Sequence, residues 1–245
     1  MLDIASERHG LLAQFVEHAE PAYREGNRRV LRTSLEVIGV RAPALGAIAR
    51  GWQQAHRDIS CEELLGLVEA LWSGPSQEER VMALLLLTRF RRCLMRLEWQ
   101  HVERWRHGVE NWGLGDLLAT EVFGPWLLAD RDTRLAHLDT LIADPNVWSR
   151  RLALVATVPL NRAPKARVPP DLTFALVERV KAQRDPMITK AVSWALRELA
   201  KTEPARVAAY VEANRSELAA HVVREVGNKL RTGLKSGKER PVAHA

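Results

Sequence analysis

Ser60 precedes CEELLGLVEALW and Ser76 precedes QEERVMALLLLTRFRRCL, each with a glutamate three residues on, Glu63 and Glu79. Serine and glutamate at that spacing form a capping box, in which hydroxyl and carboxylate each satisfy an N–H that a helix's first turn leaves orphaned. After Ser60 the apolar residues fall at Leu64, Leu67, Val68 and Leu71. That is the 3.6-residue period of one buried helix face. Asp132, Asp171 and Ser216 stand before further periodic runs, and Pro43, Pro75, Pro145, Pro170, Pro186 and Pro204 fall at or just before predicted starts. A missing N–H costs little there. No alternating β-branched run occurs, so the chain is expected to be all-α.

The helix starts recur. Gly74-Pro75, Asp144-Pro145 and Asp185-Pro186 each open a helix, at intervals of 70 and 41 residues. An unmarked member near Asn111 would split the first interval into two. Two-helix periods of about 35–45 residues are the mark of HEAT-like repeats, with a generic helical bundle as the alternative. In the repeat reading the chain is a curved solenoid (an α-α superhelix), and helices 76–93, 112–128, 146–158 and 187–201 line its concave, basic groove. Arg80, Arg150, Arg151, Lys190 and Arg197 then share one surface and track a phosphate backbone. Residues 1–232 are expected to form a single domain, and 233–245 a flexible basic tail.

Composition narrows the function classes. With 47% hydrophobic and 27% charged residues, the 245-residue chain is too apolar for a disordered protein and long enough for a substantial core. Its two cysteines, Cys61 and Cys93, do not make a small disulfide scaffold. The longest apolar run, Val81 to Leu87, is far short of the ~20 residues of a membrane span. The N-terminal MLDIASERHG lacks a positive-then-apolar leader, so a cytoplasmic protein is expected. The net charge is +6, and 29 of the 36 cations are arginine, whose forked guanidinium suits phosphates.

Searches for HExxH, CxxC, GxxxxGK[ST] and GxSxG find nothing, and His101 and His107, six apart, do not share a helix face. No metal or cofactor is expected. The eight tryptophans say more. Trp52, Trp72, Trp99, Trp105 and Trp126 fit amphipathic faces as core residues, whereas Trp112, Trp148 and Trp194 sit on the groove-lining helices or their entry. In Asn111-Trp112-Gly113-Leu114-Gly115-Asp116, a helix would place Trp112 and Asp116 one turn apart on one face. Alternatively the glycines form a turn and Asp116 caps a helix starting at Leu117. Two helical glycines cost about 1 kcal/mol each, which close approach of a bulky partner would offset. Lys190, Trp194 and Arg197 make a second stripe, with Trp194 either packed inward or presented to a ligand. Of the adjacent Arg150 and Arg151, about 100° apart around a helix, at most one faces the groove squarely.

Taken in order, these segments resemble the AlkD family of bacterial DNA alkylation-repair glycosylases. The matching pieces are Ile38-Gly39-Val40-Arg41-Ala42-Pro43, Asn111-Trp112 with Asp116, Asn146-Val147-Trp148-Ser149-Arg150-Arg151 and Lys190 through Glu198. Arg224-Glu225 is a weaker match, and together the pieces span roughly residues 25–232. The resemblance implies a catalytic carboxylate at Asp116, its aromatic partner at Trp112, a second aromatic at Trp194 and a DNA-contacting arginine at Arg151, with Arg150 in that role if the register slips by one. The chain departs from the family at Val30, where members often carry an aromatic residue, with Tyr23 merely in the vicinity.

The implied activity is hydrolysis of the N-glycosylic bond of cationic alkylated purines, 3-methyladenine and 7-methylguanine, in duplex DNA without base flipping, by a monofunctional, monomeric enzyme of base excision repair. Two other classes fit the composition: a non-catalytic binder of branched or damaged DNA, and a HEAT scaffold whose basic stripe meets an acidic protein.

Overall fold

A computed structural model describes residues 2–162 and 168–237. Among them are helices and two isolated bridges but no strand. The chain divides into two compact units, Met1–Ala129 and Asp130–Ala245.

Unit 1 carries α1 (Ile4–Glu17), α2 (Pro21–Leu31), α3 (Ala42–Ala55), α4 (Cys61–Trp72), α5 (Gln77–Arg89), α6 (Arg91–Leu94), α7 (Trp99–His107), α8 (Trp112–Leu117), a π-helical segment (Leu118–Phe123) and α9 (Gly124–Ala129). Both capping boxes form as the sequence predicts, at Ser60 with Glu63 and at Ser76 with Glu79. Leu64, Leu67, Val68 and Leu71 are fully buried, each contributing about 1.5–3 kcal/mol by removal from water. One helix is shorter than expected. The run after Ser76 stops at Arg89, because Phe90 leaves helical geometry and is buried edge-on against Trp52. Beyond it, Cys93 in α6 is disulfide-bonded to Cys61 at the start of α4, with Cα atoms 5.2 Å apart.

The connector between α2 and α3 has no regular structure of its own and is fastened by acids from elsewhere in the chain. Glu78, 1% exposed, accepts from the N–H groups of Ile38, Gly39 and Val40 at 2.9, 2.8 and 3.2 Å. Glu110 accepts from the Thr33 and Ser34 hydroxyls and from the N–H groups of Ser34 and Leu35. Gly39 has φ +100°, and a Cβ there would lie 2.8 Å from Arg24 Cβ and 2.9 Å from the Glu20 carbonyl oxygen. The glycine of the Ile38-Gly39-Val40 segment is thus dictated by backbone shape.

Unit 2 carries α10 (Arg131–Arg134), α11 (His137–Ala143), α12 (Val147–Arg162), α13 (Pro170–Glu178), α14 (Pro186–Leu199), α15 (Pro204–Ala213) and α16 (Ala220–Thr232). Within it α12, α14 and α16 pack side by side in one layer, and α11, α13 and α15 pack against them, each beside its sequence neighbours. This alternation is what a helical-repeat protein builds. Pro170, Pro186 and Pro204 stand in the first turns of their helices, as predicted. Three residues expected to precede a helix stand elsewhere. Asp132 lies inside α10, α13 begins at Pro170 with Asp171 in its first turn, and α16 begins at Ala220 rather than after Ser216. In the last case the 3.6-residue pattern extends past a stretch whose backbone turns before settling into helix. The segment after Gly233 folds back on α16, with the Lys235 carbonyl oxygen accepting from Asn228 and its ammonium 3.4 Å from Glu225. The rest of the expected tail, 238–245, lies outside the described residues. Among the described residues no helix is long and apolar enough to cross a membrane.

Candidate active site

Asn111 decides between the two readings of the Trp112–Asp116 segment. Fully buried, it accepts from Leu114 N–H at 3.0 Å and gives its amide to Gln77 Oε1 at 2.9 Å and to Thr33 Oγ1 at 3.3 Å. It is the N-cap of α8, so the helix starts at Trp112 and Asp116 is not a cap. Trp112 and Asp116 therefore stand one turn apart on one helix. Trp112 is 38% exposed, one of the few large apolar side chains so open, and its Nε1 donates to the Val30 carbonyl at 3.4 Å. Asp116 is half-buried.

The two glycines between them serve the fold's own packing. A Cβ on Gly113 would lie 3.0 Å from Leu31 Cδ2, and one on Gly115 would lie 3.2 Å from Val109 Cγ1. The bulky partners that the glycines admit are these two side chains. Two residues beyond Asp116 the helix widens into the π segment, where Gly124 N–H reaches back to the Ala119 carbonyl. Inserted π turns are rare and concentrate at functional sites. No residue preference in Leu118–Phe123 marks this one in the sequence.

Four of the five tryptophans expected in the core are buried. Trp52, Trp72, Trp105 and Trp126 are buried, while Trp148 and Trp194 are half-buried. Trp99 is the exception, half-buried against Phe123.

The cations are less available than the sequence suggests. Arg80 donates to the Gly108 carbonyl at 2.7 Å and the Gly74 carbonyl at 3.3 Å, and lies over the Trp72 ring at 5.9 Å. Burial lowers its pKa from the ordinary arginine value. Two of its donors are thus engaged within unit 1.

In unit 2, Arg151 is 6% exposed and donates to the Met187 carbonyl at 2.6 Å, tying α12 to the start of α14. Arg150 is more open; its Nη1 donates to the Asp144 and Pro145 carbonyls at 2.8 and 2.7 Å, and its Nε is buried without an acceptor among the described residues. Lys190 is exposed and Trp194, one turn on, is half-buried. Arg197 donates to Ser193 Oγ at 3.2 Å and sits 3.9 Å from Glu225, which accepts from the Ser193 hydroxyl at 2.6 Å. Burial lowers the Arg197 pKa, opposed by the Glu225 charge. Among the described residues no cluster of His, Cys, Asp or Glu could hold a metal ion.

The site residues thus fall into two groups: Trp112 and Asp116 in unit 1, and Trp148, Arg150, Arg151, Lys190, Trp194 and Arg197 in unit 2. Two buried or half-buried acids, Glu78 and Glu110, escaped the sequence reading, and Glu225 entered it only through a weak match. Glu78, Glu110 and Glu225 each meet partners more than thirty residues away, and a local motif carries no trace of such contacts.

The chain is similar to a predicted DNA alkylation repair enzyme from Enterococcus faecalis at 19% identity and a TM-score of 0.68, over 93% of this chain and 98% of that one. It is similar to AlkD2 from Streptococcus mutans at 20% identity and a TM-score of 0.54, over 79% and 89% of the two chains. A third likeness, to smu.31 from Streptococcus mutans UA159, has 18% identity and a TM-score of 0.54 over 78% and 92%. At such identities these likenesses establish a shared helical-repeat fold. No curated protein matches the chain. The family described as DNA alkylation repair enzyme matches residues 11–230, nearly the whole sequence, and the chain belongs to that family.

Proposed function

We propose that the protein is a DNA glycosylase that hydrolyses the N-glycosylic bond of cationic alkylated purines, 3-methyladenine and 7-methylguanine, in duplex DNA. The observation that carries this reading is the pairing of a half-buried carboxylate, Asp116, with an exposed indole, Trp112, one turn apart on a helix whose start is locked by buried Asn111. The chemistry asks for little more. An alkylated purine already bears a positive charge. When the bond from sugar C1′ to the ring nitrogen breaks, the electron pair goes to the purine, which leaves neutral without a general acid. The sugar is left as an oxocarbenium-like cation. Asp116 stabilises that charge and orients a water whose oxygen bonds to C1′ while its proton passes to the carboxylate or solvent.

Trp112 supplies an electron-rich face to the same cation. In unit 2, Trp194 is assigned the second indole, and Arg150 or Arg151 the flanking phosphate, with Trp148, Lys190 and Arg197 as further backbone contacts. Because such contacts position the protein without reading bases, the lesion needs no extrusion into a base pocket, and sequence preference is expected to be weak. Hairpins of HEAT type, a monomer and a single cleavage chemistry complete the reading.

The test is release of free purine from methylated duplex, comparing wild type with Asp116→Asn. Loss of release with retained duplex binding supports the enzyme. Equal, near-zero release by both proteins, with binding kept, would make the chain a non-catalytic binder. Absence of duplex affinity at low salt would leave only the protein scaffold.

A further inference from the structure

Unit 1 contains a cavity of about 310 Å³ between α2, α3, α5 and α8, with Trp112, Gly113 and Leu117 of α8 forming one wall. That volume is at the lower end of small-molecule sites, which run about 300–1,000 Å³. The opposite walls are apolar, from Leu31, Leu45 and Leu85 among others, and Tyr23 contributes an aromatic ring. The Tyr23 ring also lies under the Arg41 guanidinium at 4.7 Å, a contact that holds the ring. Two amides, Asn27 and Gln77, face the cavity. The Gln77 carbonyl is fixed by Asn111, and its Nε2 lies on the Gly113 side, 3.7 Å from where a Cβ on Gly113 would be.

Charge selects the ligand. In a protein of net charge +6, the described residues lining this cavity include no Lys, Arg or His, and their one ionisable acid is Glu78. Its carboxylate is occupied by three backbone N–H groups. A phosphate or nucleotide would find no countercharge among the lining residues, the Arg41 guanidinium over Tyr23 being paired with Glu20 at 2.8 Å, and would face a buried carboxylate. A planar, uncharged heterocycle instead matches aromatic and apolar walls for its faces and amide donors and acceptors for its edge.

We infer that this cavity is a binding site for the free alkylated purine base, occupied by the product once the glycosylic bond has been cut. The inference rests on the glycosylase reading for the identity of the base. It separates the site of chemistry, at Asp116, from a site for the departed base that shares the Trp112 indole with it and does not include Asp116.

Titration calorimetry with 3-methyladenine, and with adenosine 5′-monophosphate as the anionic control, tests it on the full chain. Wild type is expected to bind 3-methyladenine saturably and the nucleotide not at all. Ala42→Phe, at an exposed position on the cavity edge, and Val81→Phe on the α5 wall fill the space and are each expected to weaken binding at least tenfold. Circular dichroism melts establish that each variant is folded, and either one suffices. Asp116→Asn is expected to bind the base like wild type. Absence of saturable binding to wild type, equal binding of the nucleotide, or unchanged affinity in the folded filling variants would overturn the inference. If base binding behaves as expected but Asp116→Asn still releases purine at the wild-type rate, the catalytic reading fails and the cavity stands.

Discussion

Replacing Glu78 with glutamine keeps the side chain's size and removes its charge. Oε1 accepts from Gly39 and Val40 while Oε2 accepts from Ile38, so a glutamine that keeps its oxygen at the first position turns an NH2 toward the Ile38 N–H, 2.9 Å away. One charge-assisted bond, about 2 kcal/mol, is lost, and two others fall from about 2 to about 1 kcal/mol each. Relief of the buried carboxylate's desolvation returns part of that sum. The net loss is about 2–3 kcal/mol and concentrates in the α2–α3 connector. Amide hydrogen exchange reads it directly: Ile38, Gly39 and Val40 are expected to exchange about 30- to 150-fold faster, since ~1.4 kcal/mol is a factor of ten. Urea unfolding should show a similar drop in stability. Unchanged exchange at these three amides, or a stability change under about 1 kcal/mol, would refute the claim that Glu78 fastens the connector.

Three further outcomes are expected of the connector and the disulfide. Partial burial by itself would raise the Glu110 carboxyl, but the Ser34 and Thr33 hydroxyls and the Leu35 and Ser34 N–H groups outweigh it and hold the pKa below the ordinary 4.5. A carboxyl depressed in the folded state stabilises at pH above its unfolded value and loses that contribution as pH falls through the folded one. The stability gap between wild type and Glu110→Gln, from denaturant titrations, is therefore expected to be full at pH 6 and to close below about pH 4; a gap that widens in acid would contradict it. Reducing Cys61–Cys93, which spans 32 residues, removes a loop constraint of roughly 3–4 kcal/mol and should lower the urea midpoint. Gly39→Ala forces a side chain into the left-handed region against Arg24 and Glu20, at roughly 1–3 kcal/mol for strain alone. A lower thermal midpoint is expected, and an unchanged one would dispute the connector geometry.

What the sequence made legible was whatever is encoded within a few residues. The Ser60 and Ser76 boxes, the prolines of the first turns and the buried face of α4 are local grammar, and they appear where the spacing puts them. Trp112 and Trp126 look alike as letters, but the periodicity around each separates the open indole from the buried one. Long-range partners left no such signal. Arg151 is written in the sequence as a candidate phosphate ligand, yet it spends a donor on Met187, thirty-six residues on. Arg80 is engaged similarly by Gly108. Cys61 and Cys93 meet where the chain, out of helix at Phe90, continues into α6.

The widened turn at Leu118–Phe123 sets the phase of its helix. Each residue of an α-helix advances the face by about 100°. Winding the same residues as regular α-helix, without the wide turn, would swing Trp112 and Asp116 by about that angle around the axis relative to the anchored Phe123 and Trp126. The indole and the acid hold their bearing because the wide turn behind them takes up a surplus residue, as a watch hand keeps time by a tooth on a hidden wheel.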